Sequence, residues 1–421
     1  MANASLPPSS VVGAVGTAGG GGTSGGVAES SVGTASDIFP FPQFEVIEVK
    51  GTPGSDVLIG TNANEDMQGF RGDDVLFGGA GDDSLKGGIG NDRLEGGPGF
   101  DSYDGGPGTD TLTFSVADGP ANVALQNSSV VSSGVFEFVQ NVENLTGSVF
   151  GDTLLGDDND NVMLGNSGLD LLGGGLGNDI LDGGKDGAYA IWAGEVGAVT
   201  VDLAAGNAVE WDGGQDNLVN IVGAIGTDFN DTLRGDAAAN RLEGGKGDDT
   251  LQGRAGDDIL VGGDGVDVLQ GGAGRDTADY SGAGPVRASL VSGEALDASG
   301  AIDRLSGIED IIGSLGQDTL SGNGAANRLV GGVGGDVLRG GGGADIFVFN
   351  DRLDFGDTIR DFQTGLDHIE VDSAAVGVGT VTFDAANAHL LWDADGAGPA
   401  DPVIMATIEG DGVAASDMVL V

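Results

Sequence analysis

Gly51-Thr52-Pro53-Gly54-Ser55-Asp56-Val57-Leu58-Ile59 opens a nine-residue phrase, G-G-x-G-x-D-x-L-x, that repeats seven times up to Thr113 without a shift in register. Position six of the seven copies holds Asp56, Glu65, Asp74, Asp83, Asp92, Asp101 and Asp110. Position eight holds Leu58, Met67, Leu76, Leu85, Leu94, Tyr103 and Leu112. Glycine tolerates positive φ, so G-G-x-G can turn tightly, and x-L-x alternates as a strand does. Each copy therefore predicts a turn followed by a short strand.

Two turn-strand units close one coil, which places position six of alternate copies on the same face. The spacing predicts one row of Asp56, Asp74, Asp92 and Asp110, and a second row of Glu65, Asp83 and Asp101. Stacked coils lie about 4.8 Å apart, so these carboxylates repel one another unless a cation lies between them. Carboxylate and carbonyl oxygens together suit a hard cation such as Ca²⁺. A flexible acidic linker is the alternative, and the unbroken register argues against it.

The phrase resembles the RTX, or hemolysin-type, calcium-binding repeat. The resemblance implies an all-β fold, a right-handed parallel β-roll or β-helix solenoid. It also implies that position-six side chains and turn carbonyls bind Ca²⁺. We expect the repeats to be largely unfolded without Ca²⁺, because the ligands come together only in the fold.

Three further blocks of the same phrase follow, each preceded by an apolar phrase that ends in Gly-Thr or Gly-Ser. Their expected metal ligands are Asp152, Asp170 and Asp179, then Asp231, Asp249, Asp258, Asp267 and Asp276, then Asp318, Asp336 and Asp345. The second copy of each block never carries Asp at position six but has Glu65, Asn161, Asn240 or Asn327. These four are expected to be weaker ligands, or the asparagines to form a side-chain ladder instead. If a block of n copies offers n − 2 same-face pairs, the chain binds about 13 Ca²⁺ ions.

The blocks and the segments between them predict the domain organisation. A flexible Gly/Ser/Ala-rich segment covers residues 1–45. Repeat blocks cover 46–113, 147–182, 226–279 and 313–348, with spacers at 114–146, 183–225 and 280–312. Alternating residues in the spacers indicate strands. We expect the spacers to extend the solenoid as wider coils, and independent small domains are the alternative.

The segment 349–421 resembles the C-terminal domain of serralysin-type secreted proteases, where a β-roll ends in a small β cap. The final Asp417-Met418-Val419-Leu420-Val421 resembles the acidic and apolar end that a type I secretion apparatus reads in that family. An ordinary edge strand is the alternative. Asp393 and Asp395 resemble part of a D-x-D-G calcium loop that lacks its closing Glu. They are weaker candidates, with a plain acidic turn as the alternative.

Composition limits the partners and the location. The chain has 66 acidic and 16 basic residues, a net charge of −50. This charge argues against nucleic acid and anionic membranes as partners, and no apolar run approaches the ~20 residues of a membrane span. The N-terminus lacks the basic region of a secretory signal peptide. Together with the C-terminal resemblance, this predicts a secreted protein, extracellular or cell-surface associated.

Catalytic signatures are missing from the sequence, and no catalytic residue is assigned. There is no H-E-x-x-H and no cysteine, so the protease domain of the serralysins is not expected. No G-x-S-x-G nucleophile elbow appears, since the match Gly22-Thr23-Ser24-Gly25-Gly26 lies in the Gly/Ser-rich N-terminal segment. The favoured interpretation is a non-catalytic calcium-binding protein with a matrix, surface or adhesive role. One alternative is a polysaccharide-binding module like the RTX modules that accompany alginate epimerases. The other is an enzyme whose site lies in the spacers.

Overall fold

Short β-strands form nearly all the regular structure of the computed structural model, which describes residues 10–13, 46–132, 134–377, 379–393, 402–410 and 412–421. The prediction of an all-β fold built on parallel strands is confirmed. Strand β1 is Ser10–Gly13 and pairs in parallel with Asp56–Ile59. The rest of the predicted flexible segment, residues 1–9 and 14–45, lies outside the described residues.

Block 1 forms eight strands, one before the first copy and one in each copy: β2 Ile47–Lys50, β3 Asp56–Ile59, β4 Glu65–Arg71, β5 Val75–Phe77, β6 Ser84–Ile89, β7 Arg93–Glu95, β8 Ser102–Asp104 and β9 Thr111–Thr113. Strands pair in parallel with the strand of the next copy but one, so Leu58 lies beside Leu76 and Met67 beside Leu85. Two nonapeptides therefore close one coil, and odd and even copies build two facing sheets.

Spacer 1 inserts antiparallel strands into one of these sheets: β10 Ala121–Ala124, a 3₁₀ helix Leu125–Asn127, β11 Ser129–Ser132 and β12 Val135–Gln140. Strand β12 is parallel to β8, and β10 and β12 flank the antiparallel β11. Strand β13 Asn144–Thr146 ends the spacer. Block 2 then contains β14 Thr153–Leu155, β15 Val162–Leu164, β16 Asp170–Gly173 and β17 Ile180–Asp182, and β18 Ala188–Ile191 follows it at the start of spacer 2. Because β12 is parallel to β8 and β10 is parallel to β14, the strands of the spacer lie in the same sheet as strands of blocks 1 and 2.

Spacer 2 and block 3 contain the next ten strands. They are β19 Thr200–Asp202, β20 Asn207–Val209, β21 Gln215–Val219, β22 Ile221–Ile225, β23 Thr232–Arg234, β24 Arg241–Lys246, β25 Thr250–Ala255, β26 Ile259–Asp264, β27 Val268–Ala273 and β28 Thr277–Asp279. Spacer 3 contains β29 Arg287–Ser289, β30 Glu294–Leu296 and β31 Ile302–Ser306. It repeats the topology of spacer 1, since β31 is parallel to β27, β30 is antiparallel to both neighbours, and β29 is parallel to the first copy's strand in block 4.

Block 4 and the C-terminal segment form one continuous run of strands. The block contains β32 Asp310–Ile312, β33 Thr319–Ser321, β34 Arg328–Val330, β35 Val337–Arg339 and β36 Ile346–Phe349. A 3₁₀ helix Arg352–Asp354 leads to β37 Asp357–Phe362, β38 His368–Val371, helix α1 Ser373–Val376, β39 Thr380–Asp384, β40 His389–Asp393, β41 Val403–Gly410, a 3₁₀ helix Ala415–Asp417 and β42 Met418–Leu420. Strands β37 and β38 continue the parallel pairing of β35 and β36, and β42 pairs in parallel with β38.

Position-eight side chains fill the space between the two sheets of each coil. Leu58, Leu76, Leu94 and Leu112 come from one sheet of block 1, and Met67, Leu85 and Tyr103 from the other; all are buried. Their neighbours at positions seven and nine are mostly more exposed, as the alternation of a strand requires.

The described contacts group the chain into two compact units. One comprises Met1–Ile191 with Gly213–Ile221, and the other comprises Trp192–Asp212 with Val222–Val421. Each unit contains stacked coils of the kind described above. The boundaries of the nine segments read from the sequence stay a prediction.

Candidate metal sites

Glycine at three positions of the repeat allows the turn and leaves room beside the carboxylate. In the copy that begins at Gly78, Gly79 and Gly81 have φ of 110° and 129°, which other residues rarely adopt. A Cβ on Gly78 would collide with Asp83 Oδ2 and would lie 2.7 Å from the carbonyl oxygen of Gly96. The first glycine thus faces a carboxylate oxygen and a carbonyl oxygen of the next coil, two donors of the kind that Ca²⁺ takes.

Position-six residues of successive coils are linked by hydrogen bonds. The backbone N–H of Asp56 donates to Asp74 Oδ1 at 2.8 Å, Asp74 donates to Asp92 at 2.8 Å, and Asp92 donates to Asp110 at 2.7 Å. Glu65 donates to Asp83, and Asp83 to Asp101, in the same way. The structure therefore brings together both rows expected from the spacing, using one oxygen of each acceptor carboxylate.

The second carboxylate oxygen of most interior turns is buried and has no hydrogen-bond partner. This holds for the Oδ2 atoms of Asp74, Asp83, Asp92, Asp110, Asp170, Asp179, Asp249, Asp258, Asp267, Asp276, Asp336 and Asp345, and for Glu65 Oε2. A buried carboxylate without a partner costs several kcal/mol. A cation held between these oxygens and the turn carbonyls would remove that cost, so the residues fit Ca²⁺.

Burial raises the pKa of these carboxyl groups. Desolvation is the largest cause, and neighbouring carboxylates add to it. The pKa is raised to about 7 for Asp74, Asp83, Asp110, Asp249 and Asp267, and to about 8 for Asp179. Backbone N–H donors oppose the shift without cancelling it. The rows therefore favour either protons or a metal over bare negative charge.

The first turn of each block differs, because a hydroxyl residue replaces the second glycine. Ser148 donates its backbone N–H to Asp152 Oδ2 at 2.5 Å and its hydroxyl to Asp152 Oδ1 at 2.8 Å. The same residue pairs recur as Thr52 with Asp56, Thr227 with Asp231 and Ser314 with Asp318. In these four turns the oxygen that is unpartnered elsewhere already accepts a hydrogen bond.

The second turn of blocks 2, 3 and 4 is closed by an asparagine amide. Asn161 Oδ1 accepts from the N–H of Asp157 at 2.9 Å, and Asn161 Nδ2 donates to the carbonyl of Glu143 at 2.7 Å. Asn240 and Asn327 make the corresponding pairs of bonds. Each amide bonds to backbone on both sides and does not form a ladder of side chains. In block 1, Glu65 takes this place, and Thr61 donates its hydroxyl to Glu65 Oε1 at 2.5 Å.

A tyrosine hydroxyl occupies the sixth turn of block 1. Tyr103 stands where other copies have leucine, and its hydroxyl lies 3.4 Å from Asp101 Oδ2 and 3.1 Å from Glu137 Oε2. The pKa of Glu137 is raised to about 8, mainly by burial and then by Asp101. Of the weaker candidates in the C-terminal segment, Asp393 is the last residue of β40, and Asp395 lies outside the described residues.

Acids outside the nonapeptides extend the rows, and the sequence prediction missed them. The backbone N–H groups of the last position-six residues each donate to an acid at an irregular spacing: Asp110 to Glu143, Asp179 to Asp216, Asp267 to Asp303, Asp276 to Glu309, Asp336 to Asp357 and Asp345 to Asp367. The separations range from 21 to 37 residues in place of 18. A search for the nonapeptide register cannot find them. A usable signal was the recurrence of Val-Glu at 142–143 and Ile-Glu at 308–309 before a block.

The model of the RTX calcium-binding nonapeptide repeat, four copies long, matches residues 50–85, 68–103, 77–112, 144–186, 225–260, 243–278, 305–338 and 321–351. The chain carries RTX calcium-binding nonapeptide repeats. These RTX repeats bind Ca²⁺, and they are typical of secreted proteins. Among the residues that the structure describes, no helix has the length and apolar character needed to cross a membrane.

Among solved structures, the chain matches the extracellular lipase LipA from Serratia marcescens. The match has 15% sequence identity and a TM-score of 0.16, and it covers 89% of this chain and 40% of the lipase chain. The RTX chain thus spans two fifths of the lipase's length. None of the curated proteins matches the chain.

Proposed function

We propose that this RTX chain binds Ca²⁺ at the interior turns of its four blocks and folds when the ions bind. The observation that carries the proposal is the series of buried, unpartnered carboxylate oxygens. In the turns of Glu65, Asp74, Asp83, Asp249 and Asp258, the first glycine also faces the carbonyl oxygen of a glycine in the next coil. The proposed ligands are the position-six residues with such an oxygen, together with the turn carbonyls. Same-face pairing alone gives about 13 ions per chain.

Charge explains why folding depends on the ion. The chain carries a net charge of −50, and the fold places carboxylates of neighbouring coils one strand spacing apart. Without a cation, both the repulsion between these carboxylates and their desolvation raise the free energy of the folded state. Ca²⁺ binds only the assembled turns, so its binding free energy becomes folding free energy.

Circular dichroism tests the coupling of calcium to folding. We expect a disordered far-UV spectrum in EDTA and a β spectrum in Ca²⁺, with a cooperative transition between them. NaCl at matched ionic strength is the control for general screening, and Mg²⁺ is the control for ion type, because Mg²⁺ demands octahedral geometry and dehydrates reluctantly. A β spectrum in EDTA equal to that in Ca²⁺ would contradict the proposal.

We further propose that the protein is exported unfolded through a type I secretion apparatus that reads its C-terminus, and that it then acts outside the cell without catalysis, in a surface, matrix or adhesive role. The resemblance of residues 349–421 to serralysin C-terminal domains supports this route. Scarce cytosolic Ca²⁺ keeps the repeats unfolded, and plentiful external Ca²⁺ folds them. In the folded chain β42 pairs in parallel with β38, and the Ser373 hydroxyl donates to the carbonyl of Val421 at 2.6 Å.

Cell fractionation tests location and route together. We expect the full-length chain outside the cell, with a surface-bound part released by EDTA, and we expect a chain without residues 417–421 to stay inside. A variant with Leu260→Ala is the control for reduced stability, because it weakens the fold far from the C-terminus. Normal export of the truncated chain would contradict the C-terminal signal. A chain that is only soluble outside the cell would contradict the surface role.

A further inference from the structure

The last turns of blocks 1 and 3 keep the features of a metal site although no nonapeptide follows them. Asp110 and Asp276 occupy position six of these turns, and both side chains are fully buried. Their Oδ2 atoms have no hydrogen-bond partner. In an interior turn, the next coil supplies the remaining oxygens. Here the chain enters a spacer, so other residues must supply them.

A glutamate from the end of each spacer takes the place of the missing aspartate. The N–H of Asp110 donates to Glu143 Oε2 at 2.7 Å, and the N–H of Asp276 donates to Glu309 Oε2 at 2.9 Å. An interior turn shows the same bond, since Asp92 N–H donates to Asp110 Oδ1 at 2.7 Å. Glu143 and Glu309 therefore continue the row of carboxylates across the interruption.

A spacer carbonyl also replaces the glycine carbonyl of the next coil. A Cβ on Gly69, in an interior turn, would meet Asp74 Oδ2 and the carbonyl oxygen of Gly87. The equivalent Cβ on Gly105 would meet Asp110 Oδ2 and the carbonyl of Asn141, and on Gly271 it would meet Asp276 Oδ2 and the carbonyl of Gly307. Asn141 and Gly307 both adopt left-handed backbone, with φ of 52° and 60°.

The spacing between carbonyl and acid explains the change from aspartate to glutamate. In an interior turn the acid follows the carbonyl residue by five positions, as Asp92 follows Gly87. In the spacers it follows by two, as Glu143 follows Asn141 and Glu309 follows Gly307. The shorter stretch of backbone is matched by a side chain that is one methylene longer.

Spacer 2 provides an internal comparison in the sequence. Asn220 adopts the same left-handed backbone, with φ of 54°, but the residue two positions later is Val222. The copy that begins at Gly183 carries Ala188 at position six. The turn acid and the spacer acid at these two positions are thus both present around spacers 1 and 3, and at the equivalent positions around spacer 2 both are replaced by apolar residues. The N–H of Asp179, one copy earlier, donates to Asp216 of spacer 2. A spacer glutamate with a purely structural role would not need an acid at position six of the turn that it contacts.

We propose that the exits of blocks 1 and 3 are two additional Ca²⁺ sites, each formed by a nonapeptide and a spacer. The first is built from Asp110, the carbonyl of Asn141 and Glu143. The second is built from Asp276, the carbonyl of Gly307 and Glu309. The proposal rests on the proposed calcium binding of the interior turns and adds the spacers to it as suppliers of ligands.

Native mass spectrometry of the full chain in a Ca²⁺ titration tests these sites, because it counts bound ions. We expect Glu143→Gln and Glu309→Gln each to carry one ion fewer than wild type, and the double variant two fewer. The glutamine side-chain oxygen can still accept the hydrogen bond from the backbone N–H of Asp110 or Asp276. The variants should therefore show the wild-type circular-dichroism spectrum in saturating Ca²⁺. Glu294→Gln, an exposed glutamate of spacer 3, is the matched control and should carry the wild-type number.

A second comparison separates loss of a ligand from general damage. Asp110→Asn should remove the ion that Glu143→Gln removes, so the Asp110→Asn/Glu143→Gln chain should carry the same number of ions as Asp110→Asn alone. Wild-type ion numbers in the glutamine variants would overturn the two exit sites alone. Collapse of the whole fold in these variants would also overturn them, because it would assign the glutamates a structural role. A wild-type chain that binds no Ca²⁺ would instead overturn the proposed function.

Discussion

Two kinds of turn differ in whether the second carboxylate oxygen of the position-six residue accepts a hydrogen bond. Asp249, in an interior turn, has a buried Oδ2 without a partner, whereas Asp231, in the first turn of the same block, accepts hydrogen bonds from the N–H and hydroxyl of Thr227. Both residues occupy position six of the same repeat. Their sequence position is equivalent, and the hydroxyl residue Thr227 at position two of the first turn stands where the interior turn has Gly245.

The two aspartates should therefore respond differently to the same substitution. We expect Asp249→Asn to remove at least one bound Ca²⁺, because it replaces an unpartnered carboxylate oxygen with a neutral group. We expect Asp231→Asn to leave the number of ions unchanged and to lower the stability of the Ca²⁺ form by about 1–3 kcal/mol, the usual cost of a disrupted buried hydrogen bond. Ion counting by native mass spectrometry and urea unfolding in saturating Ca²⁺ check both outcomes. Equal ion loss in both variants would contradict the distinction.

At the scale of the element, each strand is too short to be stable alone, and stacking stabilises it. Strand β26 contributes Leu260, which lies between Leu242 of β24 and Ala278 of β28. The spacers keep this stacking intact because β12 and β31 pair in parallel with the preceding coil. Antiparallel strands enlarge the sheet at these points while the core beneath it continues.

Truncation of one core side chain should weaken the stack. We expect Leu260→Ala to lower the free energy of unfolding in saturating Ca²⁺ by about 2–5 kcal/mol, because it leaves a cavity between two coils. Gln252→Ala is the matched control, since Gln252 lies at an outward position of the neighbouring strand β25 and should change stability little. Chemical denaturation in Ca²⁺ measures both. Similar losses for the two variants would contradict the inward and outward assignment.

At the scale of the whole molecule, the negative charge of the buried carboxylates opposes folding, and either protons or Ca²⁺ can neutralise it. Many buried carboxyl groups have a folded pKa near 6–8 in place of 3.8. Because the folded pKa is raised, the metal-free folded chain binds more protons than the unfolded chain between about pH 4 and pH 7. Its stability therefore falls as the pH rises through that window.

This linkage predicts opposite effects of acid in the two conditions. Without Ca²⁺, we expect β structure to increase as the pH falls from 8 toward 5, because protons neutralise the rows. With limiting Ca²⁺, we expect the apparent Ca²⁺ affinity to fall over the same range, because protons and ions compete for the same oxygens. Circular dichroism and Ca²⁺ titration at several pH values measure these effects. A metal-free chain that gained β structure with rising pH would contradict the assignment of buried carboxylates.

The amino-acid sequence by itself determined the repeat, the all-β coil of two nonapeptides and the two rows of acids. These follow from local rules, because glycine permits the turn, the residue at position eight of each copy fills the core, and a period of 18 fixes which acids face each other. Only the tertiary structure decided which oxygens are available. Thr227 and Asn240 close their turns through contacts that no spacing reveals, and Glu143 and Glu309 reach position-six amides 33 residues away. A spacer can change the register of the chain and still return an acid to the same place in space, and that return depends on how the antiparallel strands pack.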